Sequence, residues 1–185
     1  MSGIRINMTT EEASSAPKTG GGDPIPTGKY LVAVTDCTET ECGPQSKNPG
    51  KPYYNFELTV QGGEYAEKTM YTNAMLFSGA LYTISQMLKS QGIEVRENGW
   101  FQVEGYEECV VPEPGWWLGR QMVAYGKQEK GKIKEKGLDK SDPDNFYPDR
   151  TEPKAFWHAD TWDGSASATS TAGVKTASTA TSLLP

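Results

Sequence analysis

The stretch Tyr53-Tyr54-Asn55-Phe56-Glu57-Leu58-Thr59-Val60 decides how the rest of the chain is read. Tyr54, Phe56, Leu58 and Val60 fall on one side of an extended backbone, and Tyr53, Asn55, Glu57 and Thr59 on the other. One apolar and one polar side at period two predicts a half-buried β-strand. Its apolar side belongs to a core, which leaves Tyr53 as an aromatic ring on the solvent side. Upstream, Tyr30-Leu31-Val32-Ala33-Val34-Thr35-Asp36-Cys37 predicts an earlier strand, with Tyr30, Val32 and Val34 alternating. The polar segment between them runs from Glu39 to Gly50, where Asn48-Pro49-Gly50 is turn chemistry. Downstream, Gln61-Gly62-Gly63-Glu64 reads as a hairpin turn and Lys68–Leu76 as a third strand.

The periodicity then changes. Leu81, Ile84, Met87 and Leu88 form a stripe at helical spacing, with Ser78 placed as N-cap and Gln91-Gly92 as the C-terminal stop. After an acidic segment, Pro112-Glu113-Pro114-Gly115 breaks the chain. Trp116 to Lys127 reads as a fourth strand, in which the consecutive Trp116 and Trp117 point to opposite sides. A lysine-rich connection leads to a fifth strand around Ala155-Phe156-Trp157-His158. Three strands, one helix and two strands is the layout of an OB-fold. The expected class is therefore mainly β: a five-stranded OB-fold barrel over residues 27–160, with one helix between strands 3 and 4.

Both ends look unable to bury apolar area. Residues 1–26 are polar and end near Gly20-Gly21-Gly22, and residues 161–185 are largely Ser, Ala, Thr and Gly. Such compositions do not offset ordering entropy, so a disordered N-terminal arm and a disordered C-terminal tail are expected. The tails also explain why only 36% of the 185 residues are hydrophobic. No stretch approaches the ~20 apolar residues of a membrane-spanning helix. No apolar block stands in the first 26 residues, so no secretory signal and no membrane partner are expected.

Cys37, Cys42, Cys109 and His158 are the only cysteines and histidine. An odd cysteine count without a signal suggests free thiols. A Cys₃His zinc site would need all four residues, and their spacing does not suggest one, so no metal is expected. Nucleophilic triads have a single histidine to draw on, and no phosphate-loop, dinucleotide or zinc-protease motif is present. These observations argue against an enzyme and imply no cofactor.

Several segments together resemble the small phage-encoded single-stranded-DNA-binding proteins. They are Gly28-Lys29-Tyr30, then Asn48-Pro49-Gly50-Lys51-Pro52 continuing through Leu58, then Met70-Tyr71-Thr72-Asn73-Ala74-Met75-Leu76, then Ala80-Leu81, and finally Leu118-Gly119-Arg120-Gln121-Met122-Val123-Ala124. The resemblance spans roughly residues 27–158 and is a pattern of strand and glycine positions. It implies an OB-fold that coats single-stranded DNA during phage replication and recombination, in the cytoplasm of the bacterial host. It also implies self-association as a homo-oligomer, and replication or recombination proteins as partners of the tails. The C-terminus departs from the acidic, aromatic-ended tail that many single-strand binders carry.

Sequence-independent binding of single strands needs aromatic faces for bases and cations for phosphates. The candidate stacking residues are Tyr53, Tyr71 and Trp116. The candidate phosphate contacts are Lys51, Lys68, Arg120, Lys127, Lys130, Lys132 and Lys134. The net charge of −6 stands against a strongly basic binder. Charge is segregated, however: residues 94–113 carry −5 and residues 127–140 carry +3. A second reading fits the acidic charge and the arms equally well: a virion structural or assembly protein, a small β-domain that binds protein or glycan.

Overall fold

A computed structural model describes residues 3–7, 9, 21–134 and 137–164. The chain is mainly β, with one two-stranded and one six-stranded sheet. The strands are β1 (Gly3–Arg5), β2 (Gly21–Gly22), β3 (Gly28–Glu41), β4 (Pro52–Val60), β5 (Thr69–Met75), β6 (Val110–Pro112), β7 (Gln121–Glu129) and β8 (Arg150–His158). The helices are α1 (Tyr82–Ser90) and the one-turn α2 (Pro114–Trp117). The large sheet runs β2-β5-β4-β3-β7-β8, antiparallel throughout.

The alternation that opened the reading holds residue by residue. Tyr54, Phe56, Leu58 and Val60 of β4 are buried, while Tyr53, Asn55, Glu57 and Thr59 are half-buried on the other side. Tyr54, Phe56, Leu58, Met70 and Met122 from the inner face of the sheet meet Leu81, Ile84, Met87 and Leu88 of α1 in one core. α1 packs across β5 and β8. It starts after Leu81 rather than at Ser78, with no side-chain cap, and Gly92 follows it at φ +75°.

The strands differ from expectation in ways that pairing explains. β3 continues through Glu39, Thr40 and Glu41, because Tyr54, Tyr53 and Pro52 of β4 pair with them. A bulge at Thr35 resets the alternation, so that Val34 and Cys37 both face inward. The fourth long strand begins at Gln121, not Trp116. Pro114 sits at the start of α2, where its fixed φ and missing N–H suit a first helical turn. Trp116 and Trp117 are therefore neighbours on a helical turn and not on opposite sides of a strand.

The N-terminal boundary also needs correction. β1 pairs with β6, and Ile6 and Ile25 are buried in the core. Gly21–Gly22 pairs with β5. A Cβ on Gly22 would stand 2.3 Å from the Thr69 carbonyl oxygen, so glycine here permits close approach rather than slack. Asp23 then donates its N–H to the Thr69 carbonyl (2.7 Å) and accepts from the Thr151 N–H (3.2 Å). Thr151 Oγ1 accepts from the Ile25 N–H (2.9 Å) and donates to the Ile25 carbonyl (2.7 Å). Residues 21–25 thus lace β5 to β8, and no ladder directly joins those two strands. The remainder of both expected arms, residues 1–2, 8, 10–20 and 165–185, lies outside the described residues. Among the described residues no helix is long and apolar enough to cross a membrane.

Several acidic hydrogens are held by the core. Burial, with Asp36 and Glu39 adding to it, pushes the Cys37 thiol up to about 12. Burial also pushes Tyr30 to about 12, aided by Tyr65 and Glu64, and Tyr106 to about 12, aided by its bond to Glu113. Unfolded, these groups ionise near 9.0 and 10.0. Folding thus favours their neutral forms, so the stability they contribute is complete below pH 9 and is lost between about 9 and 12. The urea midpoint is expected to hold to pH 8 and to fall clearly by pH 10.5. An unchanged midpoint would count against these neutral buried groups.

Candidate nucleic-acid interface

Two outer surfaces carry the candidate side chains. The first is the outer side of β4, β5 and the distal half of β3. Tyr53 opposes Met75, and Tyr71 opposes Glu57 four residues further along β4, about 13 Å away. Both rings therefore share one face, and Tyr71 is 40% exposed. Lys51 and Lys68 are exposed at opposite ends of β4. Between them the charge is negative: Asp36 of β3 opposes Glu57 of β4 on this face, residues 35–41, β4 and β5 hold no lysine or arginine, and Glu39 and Glu41 fall on the other side, in register with Tyr54 and Pro52. Tyr71 donates its hydroxyl to Glu57 Oε2 (3.1 Å), and Thr35 Oγ1 lies 3.3 Å from Glu57 Oε1. A carboxylate thus stands in the middle of the surface that alternation selected.

Trp116 and Arg120 lie apart from these tyrosines. The Arg120 guanidinium carbon stacks 3.3 Å from the Trp116 ring centroid, and its Nε donates to the Trp116 carbonyl (2.8 Å). One face of Trp116 is already covered, and its edge contact with Trp117 (centroids 4.9 Å apart) ties it to the core. Beside them, Tyr106 donates to Glu113 Oε2 (2.5 Å), and this bond holds the Glu113 carboxyl below its ordinary range.

The lysine run forms the outgoing limb of a long β7–β8 hairpin. Ile133 bridges to Phe146, Lys134 N–H donates to the Asn145 carbonyl (2.8 Å), and Tyr147 N–H to the Lys132 carbonyl (2.9 Å). The return limb carries Asp142, Asp144 and Asp149 and no lysine, so residues 127–149 sum to zero. The +3 of the outgoing limb is cancelled by the limb that folds against it. Several of these carboxylates are engaged with backbone donors: Asp139 Oδ1 with Ser141 N–H (2.9 Å), Asp142 Oδ1 with Asp144 N–H (3.0 Å) and Asp149 Oδ1 with Gly131 N–H (2.9 Å). Lys130, Lys132 and Lys140 make no such bond among the described residues, and Lys134 Nζ donates to the Asp144 carbonyl (2.8 Å). A cleft of about 750 Å³ opens in this hairpin, lined by Lys130, Lys134, Lys140, Asp144, Phe146, Tyr147 and Asp149. Tyr147 is 54% exposed. Lys127 is instead paired with Glu129 (3.1 Å) at the hairpin's base.

The second surface is the outer side of β3, β7 and β8. Leu31, Val123 and Trp157 form one cross-strand row, and Lys29, Tyr125 and Ala155 the next. Lys29 Nζ sits 5.0 Å from the Trp157 ring centroid. Toward the hairpin, Lys127, Lys154 and Arg150 share two carboxylates, Glu129 and Glu152. Sequence reading passed over Trp157, Tyr125, Tyr147, Lys29, Lys154 and Arg150. The only available signal was alternation with the buried Phe156, Ala124 and Tyr30.

Among the described residues, no group of three or more His, Cys, Asp or Glu side chains could hold a metal ion. The three cysteines are free. No protein-family model matches the chain, and neither curated proteins nor solved structures yield a significant match.

Proposed function

We propose that this chain binds single-stranded DNA without sequence preference, by base stacking on exposed aromatic rings and phosphate contacts from lysines, with no catalysis and no cofactor. The observation that carries the reading is the hairpin cleft. Lys130, Lys134 and Lys140 line it with Asp144 and Asp149, a surplus of one positive charge, beside the exposed ring of Tyr147. A cationic cleft with an aromatic wall suits a nucleotide, whose base stacks while its phosphate meets ammonium groups. Asp149 is engaged with the Gly131 N–H, and among the described residues Lys130 and Lys140 make no hydrogen bond or ion pair that would hold their ammonium groups back.

An OB-fold is the second part of the proposal. In its support, β3, β4 and β5 form a meander, β7 joins the far edge of β3, and β8 follows β7. α1 stands between β5 and β7 in the chain. That connectivity suits a partly open five-stranded barrel. Residues 21–25 fill the position where β5 and β8 would otherwise close. A role in phage replication or recombination, in the host cytoplasm, rests on the resemblance of the sequence.

The test is fluorescence or anisotropy titration of the full chain with oligo-dT across a salt series. Binding at ~50 mM salt that weakens steeply by ~200 mM is the expected result. No mobility shift and no tryptophan quenching at low salt would sink the proposal and favour a virion structural role.

A further inference from the structure

We infer that the single strand leaves the hairpin cleft along the outer face of β7 and β8 toward Trp157, and does not cross β4 and β5. This rests on the binding reading above and gives it a path. Two observations carry it. The first is charge. The outer face of β3, β7 and β8 presents Lys29, Lys127, Arg150 and Lys154 against Glu129 and Glu152, a surplus of two positive charges. The β4–β5 face and the β3 segment beside it carry two opposed carboxylates, Asp36 and Glu57, and no cation within the strands, a deficit of two. A polyanion is drawn to the first surface and repelled by the second.

The second observation is the arrangement of rings. Trp157 is 38% exposed on β8. Tyr125 lies in the adjacent row, and Tyr147 stands in the hairpin beyond the base of β7. From the Glu129–Arg150 row to the Val123–Trp157 row is six residues of β7, or about 20 Å. Aromatic groups are therefore spaced along one cationic track. Lys29 caps the Trp157 ring with a cation–π contact, which is weaker at an exposed site than base stacking. A base displaces the ammonium from the ring and leaves it beside the phosphate of the same strand.

The experiment compares Trp157→Ala, Trp157→Phe and Tyr53→Ala in the full chain, binding oligo-dT of ~30 nucleotides at ~50 mM salt, with thermal melts of each variant. The expected results are about tenfold weaker binding for Trp157→Ala, near-normal binding for Trp157→Phe, and little change for Tyr53→Ala. Trp157→Phe is also expected to lose part of the tryptophan quenching on binding, a readout that folding stability does not move. If the wild-type chain binds but Trp157→Ala binds equally well, or Tyr53→Ala is the weaker, the path is overturned while the binding reading stands. If the wild-type chain does not bind, both fall. If sedimentation shows that the wild type is a dimer that Trp157→Ala dissociates, this face belongs to a second copy and the path is overturned.

Discussion

Replacing Trp117 with alanine is expected to cost about 3–5 kcal/mol of stability, a large part of the ~5–15 kcal/mol that holds a domain of this size. Trp117 has no solvent exposure. Its ring meets Phe56 edge-on at 5.2 Å and Trp116 at 4.9 Å, and its Nε1 donates to the Pro112 carbonyl at 3.3 Å. Truncation opens a cavity against β4, removes two aromatic edge contacts and leaves a buried carbonyl without its donor. The neighbouring Trp116→Ala is expected to cost only about 1 kcal/mol, because its ring is half-buried and its main partner is the Arg120 guanidinium. Urea unfolding of the two variants gives the comparison. Equal losses would mean that the helical turn at Pro114–Trp117 does not orient the two rings as described.

Removing the exposed cations of the hairpin's outgoing limb is expected to give the largest change in binding. Exchange of Lys130, Lys132 and Lys134 together for glutamine removes three cations from exposed positions. Each single-strand phosphate contact contributes about 0.7 to the slope of log affinity against log salt. The triple variant is therefore expected to lose about 2 from that slope and about a hundredfold in affinity at ~50 mM salt. Its melting temperature should hardly move, since among the described residues the only side-chain bond lost is that from Lys134 Nζ to the Asp144 carbonyl. A wild-type slope in the triple variant would show that these lysines do not touch phosphate. The return-limb aspartates set a further constraint: with the hairpin neutral overall, attraction is short-ranged and the absolute affinity modest.

The parts of the fold legible in sequence were those where side-chain pattern and backbone agree. The inner and outer sides of β4 follow from period two alone, and the stripe of α1 from period 3.6. Features set by a partner strand were not legible. Glu39-Thr40-Glu41 has no apolar alternation, yet it is strand because β4 supplies its hydrogen bonds. Gly21 and Gly22 have the composition of a linker, and the missing Cβ at Gly22 is what lets the chain lie against Thr69. Trp116 and Trp117 could alternate on a strand or turn on a helix, and Pro114 decides for the helix.

The candidate interface divides in the same way. Tyr53 was placed on the outer side by alternation and lies there, whereas the sequence left the face of Tyr71 open and pairing with β4 sets it. What surrounds them was not readable, because Glu57 and Asp36 come together only through register. The cancellation of the lysine run could have been counted in the sequence. That three lysines and two aspartates of the two limbs line one cleft could not, since it depends on how one limb folds on the other.

By itself, then, the sequence determined which residues alternate, where the chain turns and how much charge each segment holds, because these are properties of neighbours along the chain. The tertiary structure alone decided that Trp157 and Lys29, far apart in sequence, share a cationic face while Tyr71 shares an acidic one. Surface electrostatics depends on distance in space, and antiparallel pairing sets that distance independently of separation along the chain.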